Sequence, residues 1–60
     1  MNNFTAHILV VDDDHGIRSL VKQYLNKNGF LVTTASNAEN ALEKISFIKF
    51  DLIVLDVMMP

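Results

Sequence analysis

"HILVVDDD", residues 7–14, carries the main clue to how this chain folds. His7–Val11 is short, apolar and rich in β-branched residues, with no polar alternation. That pattern suits a strand buried on both faces. Three acids, Asp12, Asp13 and Asp14, follow without a gap. The same arrangement returns near the other end of the chain. "DLIVL", residues 51–55, is another apolar run of the doubly buried kind, and Asp56 comes directly after it. "FLVTTA", residues 30–35, is a third strand candidate, with the extra polar content of an edge strand.

Two helical patterns separate these strands. Over residues 15–28, Ile17, Leu20, Val21, Tyr24 and Leu25 recur at helical spacing, with Arg18, Lys22, Gln23, Asn26 and Lys27 largely opposite. Gly29 fits the left-handed residue that closes such a helix, with Phe30 packing back on Leu25. Over residues 37–46, Ala38, Ala41, Leu42 and Ile45 share one face. "SNAE", residues 36–39, predicts a capping box in which Ser36 and Glu39 satisfy each other's amides.

The order is therefore β-α-β-α-β, which implies an α/β fold with a parallel sheet. Right-handed crossovers with one helix on each face give the strand order 2-1-3. The carboxyl ends of the strands then share one edge, and a crevice opens where the order reverses, between the first and third strands. Both acidic groups are expected to converge there.

Bulk composition narrows the function classes. The chain has 60 residues, a formal net charge of −2 and no cysteine. Disulfides and thiolate metal sites are excluded. The basic residues are scattered, so no nucleic-acid or membrane-surface patch is expected in this segment. No signal peptide is visible, and no apolar run approaches the roughly 20 residues of a membrane span, which predicts a cytoplasmic protein.

Several carboxylates held close together repel one another unless they take up protons or a cation neutralises them. The candidate ligands are all oxygen, which favours Mg²⁺ over zinc. A carboxylate beside such a metal suggests phosphoryl transfer, with the carboxylate attacking phosphorus. The bland alternatives are that Asp13 or Asp14 caps the first helix and that Asp56 is a turn residue. Neither G-x-G-x-x-G nor a P-loop is present. Haloacid-dehalogenase-like phosphatases also place an aspartate after an apolar strand, but they have a second Asp two residues later, where this chain has Met58.

"ILVVDDD" and "LIVLDVMMP" closely resemble the first and third strands of the receiver domain of bacterial response regulators, the CheY-like family. Folds of that family are among the standard examples of the switch-point crevice. The resemblance implies that Asp56 is the phosphoacceptor and Asp13 a direct Mg²⁺ ligand. Asp12 would act through a metal-bound water, and the backbone carbonyl of Met58 would complete the protein's share of the coordination. Asp14 has no metal role in the family and is expected to begin the first helix. The implied phosphoryl donor is a phosphohistidine on a sensor histidine kinase or phosphotransfer protein. "GIRSL", residues 16–20, is a candidate docking contact for that donor, or simply a packed helix with Arg18 in solvent. His15 is expected to be an exposed first-turn residue, and His7 to stand away from the crevice.

The resemblance spans residues 1–60 as the N-terminal half of a receiver, a truncated flavodoxin-like unit. The family's Ser/Thr and Lys that bind phosphoryl oxygens belong to the other half. An ordered form is expected to pair its third strand with another chain, or to swap or intertwine into a dimer. Two functions are therefore open: a phosphoacceptor module that is weakly active or inactive in these 60 residues alone, and a non-catalytic fragment that only associates. An assisted phosphoacceptor of this kind is not counted as an enzyme.

Overall fold

A computed structural model describes residues 6–55. It contains β1 (His7–Val11), α1 (His15–Lys27), β2 (Leu31–Ala35), α2 (Ala38–Ile45) and β3 (Leu52–Leu55). The sheet is parallel, with order β2-β1-β3. Both the fold class and the strand order expected from the sequence are observed.

The central position of β1 explains its unbroken apolar run. Leu9 and Val11 pack with Ala35, Ala41 and Phe50 on one face. Ile8 and Val10 pack with Val32, Val21, Leu25 and Phe30 on the other. Leu9, Val10 and Val11 are almost wholly buried, and each such side chain contributes about 1.5–3 kcal/mol. Thus α1 covers one face of β1 and β2, and α2 covers the other.

The end of α1 matches its sequence signal. Gly29 has φ +89°, its amide donates to Asn26, and the Phe30 amide donates back to Leu25. This is the reciprocal pattern of a Schellman cap, and Phe30 joins Leu25 in the core. Phe30 belongs to the cap, and β2 begins one residue later at Leu31.

Three expectations need correction. The cap of α2 is Asn37, whose side chain accepts from the Asn40 amide at 2.7 Å, while Asn40 Oδ1 accepts from the Ser36 amide at 3.3 Å. Ser36 and Glu39 do not form the box. The helix starts one residue later than Ser36 as cap would require, and the Asn37 side chain fills the capping position directly. Second, only Val21 and Leu25 of the apolar stripe of α1 reach the core, whereas Ile17, Leu20 and Tyr24 are exposed. Leu42 and Ile45 of α2 are likewise exposed, and Ala41 is the buried residue of that helix. Third, the doubly buried pattern of residues 51–55 is not matched by burial in these 60 residues: Leu52, Ile53, Val54 and Leu55 are 39–56% exposed, in keeping with the open outer edge behind the expected self-association. Both helices lie over β1 and β2, so neither covers β3. Asp51 precedes β3 and does not form its first residue.

Candidate functional site

The carboxyl edge of the sheet is built where β1 hands over to α1. The Asp12 amide donates to the Ala35 carbonyl at 3.1 Å, which prolongs the β1–β2 ladder by one bond. Asp12 is only 7% exposed. Its Oδ1 accepts from the Asp14 amide at 2.9 Å, a local Asx turn that ends the strand. Asp13 follows in the open, exposed at the tip of the turn.

Asp14 is the N-cap of α1, its Oδ1 accepting from the Ile17 amide at 3.0 Å. The three consecutive acids therefore divide into one buried strand-end carboxylate, one exposed carboxylate and one helix cap. The helix-start role expected for Asp14 is observed. A side chain at position 16 would crowd that cap, because a Cβ on Gly16 would lie 3.2 Å from Asp14 Oδ1.

His15 is exposed in the first turn, as expected. His7 stands at the opposite end of β1, where its Nε2 lies 2.7 Å from Thr33 Oγ1 and its ring meets Phe50 edge-on at 4.7 Å. Arg18 does not take the place in solvent that the packed-helix alternative gave it. It is half-buried, and its Nη1 donates to the Asp12 carbonyl at 2.8 Å. Its Nη2 lies 3.2 Å from His15 Nδ1. Periodicity had put Arg18 on the polar side of α1. The signal that was available is its position one helical turn past the acidic run, within reach of the strand end.

Asp56 and Met58 lie outside the described residues. The neighbouring described geometry is the parallel register of β1 with β3, whose last partners are Val11 and Leu55. Each of these is one covalent step from a carboxylate residue, Asp12 and Asp56 respectively. Among the described residues, no three of His, Cys, Asp and Glu converge into a closed metal cage. The donors at the strand end are carboxylate oxygens only, which fits an ion such as Mg²⁺ that draws on one or two carboxylates and keeps water ligands. One Asp12 oxygen is already engaged by the Asp14 amide.

An open parallel sheet with acids at its switch point defines a class of α/β ligand-binding modules. Within that class the chain belongs to the response regulator receiver domain family, which it matches over residues 8–60. It is 54% identical over 60 residues to Protein PetR of Rhodobacter capsulatus, covering all of this chain and 25% of that protein. It is 53% identical over 53 residues to the alkaline phosphatase synthesis transcriptional regulatory protein PhoP of Bacillus subtilis, covering 88% of this chain and 22% of PhoP. The solved structure of the chemotaxis response regulator CheY4 of Vibrio cholerae superposes with a TM-score of 0.87 at 42% identity, covering 92% of this chain and 46% of CheY4. The chain thus spans about a quarter of these curated relatives, and under half of CheY4. Among the described residues, no helix is long and apolar enough to cross a membrane.

Proposed function

We propose that this chain is the acceptor-bearing part of a two-component receiver, taking a phosphoryl group onto Asp56 from a phosphohistidine of a sensor histidine kinase or phosphotransfer protein. The observation that carries the reading is the pairing of Val11 with Leu55, one residue before Asp12 and Asp56. An Asp56 carboxylate oxygen would bond to phosphorus as the phosphorus–nitrogen bond of the donor breaks, its electron pair returning to the imidazole.

Asp13 and Asp56, with the Met58 carbonyl, would hold Mg²⁺ directly, and Asp12 would hold it through a water. Bound there, Mg²⁺ would offset negative charge on the phosphoryl oxygens. The chain's own contribution is orientation. β2 fixes Asp12 through the Ala35 carbonyl, and Asp14 starts α1 without competing for the ion. The setting is the cytoplasm. This segment makes no nucleic-acid contact, and any transcriptional role belongs to a longer protein of the kind PhoP's name describes.

A second reading follows from the exposure of β3. Among the described residues its outer edge is unpaired and the side chains on both its faces are exposed, so the 60 residues would self-associate through β3 and act without phosphotransfer.

The deciding experiment is intact-mass analysis after incubation with acetyl phosphate or a phosphorylated kinase, with and without Mg²⁺. The expected result is weak or no labelling of the 60 residues alone. A longer chain that completes the receiver is expected to show a Mg²⁺-dependent adduct that Asp56→Asn abolishes. An adduct that persists in Asp56→Asn would move the acceptor elsewhere.

A further inference from the structure

Asp12 is held at three points. Its amide donates to the Ala35 carbonyl at 3.1 Å, and its Oδ1 accepts from the Asp14 amide at 2.9 Å. Its carbonyl accepts from Arg18 Nη1 at 2.8 Å. The first bond fixes the strand side of the residue and the second fixes its side chain. The third acts on the peptide between Asp12 and Asp13. A peptide unit is planar, so holding the Asp12 carbonyl also holds the Asp13 amide in that plane. It therefore limits the direction in which Asp13 leaves the strand.

Arg18 suits this task by its chemistry and its anchorage. Its own amide donates to the Asp14 carbonyl at 3.0 Å, which ties its backbone to the same turn. The guanidinium then reaches two acceptors, Asp12 O and His15 Nδ1, from separate nitrogens. A planar fork can span two such acceptors, whereas a lysine ammonium is a single point. The fixed positive charge also stands beside a run of three acids, where like charges would otherwise push the turn open.

We infer that Arg18 is a positioning residue that presets the Asp12–Asp13 peptide, so that the acidic pair faces a hard divalent cation before the ion arrives. The inference rests on the cation reading given above. Arg18 touches neither metal nor phosphoryl group and acts through the Asp12 carbonyl. Outer partners of metal ligands commonly act in this way, by narrowing the orientations a ligand samples.

The test uses the isotope-labelled 60-residue chain as wild type, Arg18→Met, Arg18→Lys and Asp13→Asn. Without metal, amide hydrogen exchange is followed at Asp14, Leu9 and Val10. Mg²⁺ is then titrated while the Asp13 and Asp14 amide shifts are recorded. In Arg18→Met the Asp14 amide is expected to exchange faster while the Leu9 and Val10 amides hold. The Mg²⁺ midpoint is expected to rise roughly 10-fold, the scale on which outer-shell partners act, with Arg18→Lys in between.

Unchanged Asp14 exchange together with an unchanged midpoint overturns the inference. So does a parallel loss of protection at all three amides, which would mark Arg18 as a general tie between α1 and the sheet. Should Arg18→Met fail to fold, Arg18→Lys against wild type decides by the same readouts. A wild type that gives no Mg²⁺ response, or a response that survives Asp13→Asn, removes the cation reading. The exchange comparison then still decides whether Arg18 sets the peptide.

Discussion

His7 and Asp51 grip each other through two hydrogen bonds of 2.8 Å. The Asp51 amide donates to the His7 carbonyl, and Asp51 Oδ2 accepts from the His7 amide. The pair closes the amino edge of the sheet between β1 and β3, at the far end of β1 from Asp12. A slip of one residue would turn every β3 side chain to the wrong face. The clamp therefore helps hold the register that sets Val11 opposite Leu55. Asp51→Ala is expected to cost about 1 kcal/mol, and Asp51→Asn, which keeps an acceptor, to cost less. The urea midpoints of the two variants check this, and equal midpoints would leave the side chain without a role in register.

The cap of α2 separates two adjacent residues. Asn37 accepts from the Asn40 amide, so Asn37→Ala is expected to cost ~1 kcal/mol. Ser36→Ala leaves the cap in place and is expected to be near neutral. Helical content and thermal midpoint measured on both variants discriminate them. A larger loss for Ser36→Ala would restore the box that the sequence suggested.

At Gly29 the backbone is left-handed, yet the space around a Cβ is empty. The cost of Gly29→Ala is therefore conformational, with no clash, and is expected to be about 1–2 kcal/mol. Gly29→Asn should lose less, since Asn tolerates this region better. Denaturant unfolding of the two variants gives the ranking, and a reversed order would point to a contact beyond the backbone.

Asp14→Ala removes the α1 cap and is expected to cost about 1 kcal/mol while leaving the Mg²⁺ midpoint close to that of wild type. Asp13→Asn should do the reverse, sparing stability and abolishing the Mg²⁺ response. Paired thermal and Mg²⁺ titrations test the division of labour. Loss of Mg²⁺ binding in Asp14→Ala would place the cap residue among the ligands.

The register puts Ile53 beside Leu9 and Val54 beside Val10, so β3 offers apolar side chains on both faces. If β3 mediates self-association, Ile53→Lys is expected to shift the 60-residue chain toward monomer in sedimentation velocity, by placing a desolvated charge in the contact. A sedimentation profile identical to wild type would exclude that face of β3 from the contact.

Much of this protein could be read from short-range pattern. The continuous apolar run of His7–Val11 marked a strand covered on both faces. Gly29 marked the end of α1, and Asp14 the start of it. Alternation of elements then determined a parallel sheet with β1 in the middle, because right-handed crossovers and two covered faces permit few other arrangements. The acidic residues at the end of β1 were legible for the same reason: a strand end projects whatever follows it.

Tertiary structure alone decided what depends on distance across the chain. The apolar stripe of α1 does not say which of its members meet the sheet. Val21 and Leu25 do, while Leu20 and Tyr24 do not, because the helix lies over β1 and β2 and stops short of β3. Leu52–Leu55 has the composition of an interior strand, but burial is a property of neighbours, and among the described residues β3 has one strand partner and no helix above it. Arg18 sits on the polar side of a helical pattern, and its bond to the Asp12 carbonyl exists only because the β1–α1 turn folds that carbonyl back within a guanidinium's reach. Periodicity records which way a side chain points from its own backbone, and the fold determines what it meets there.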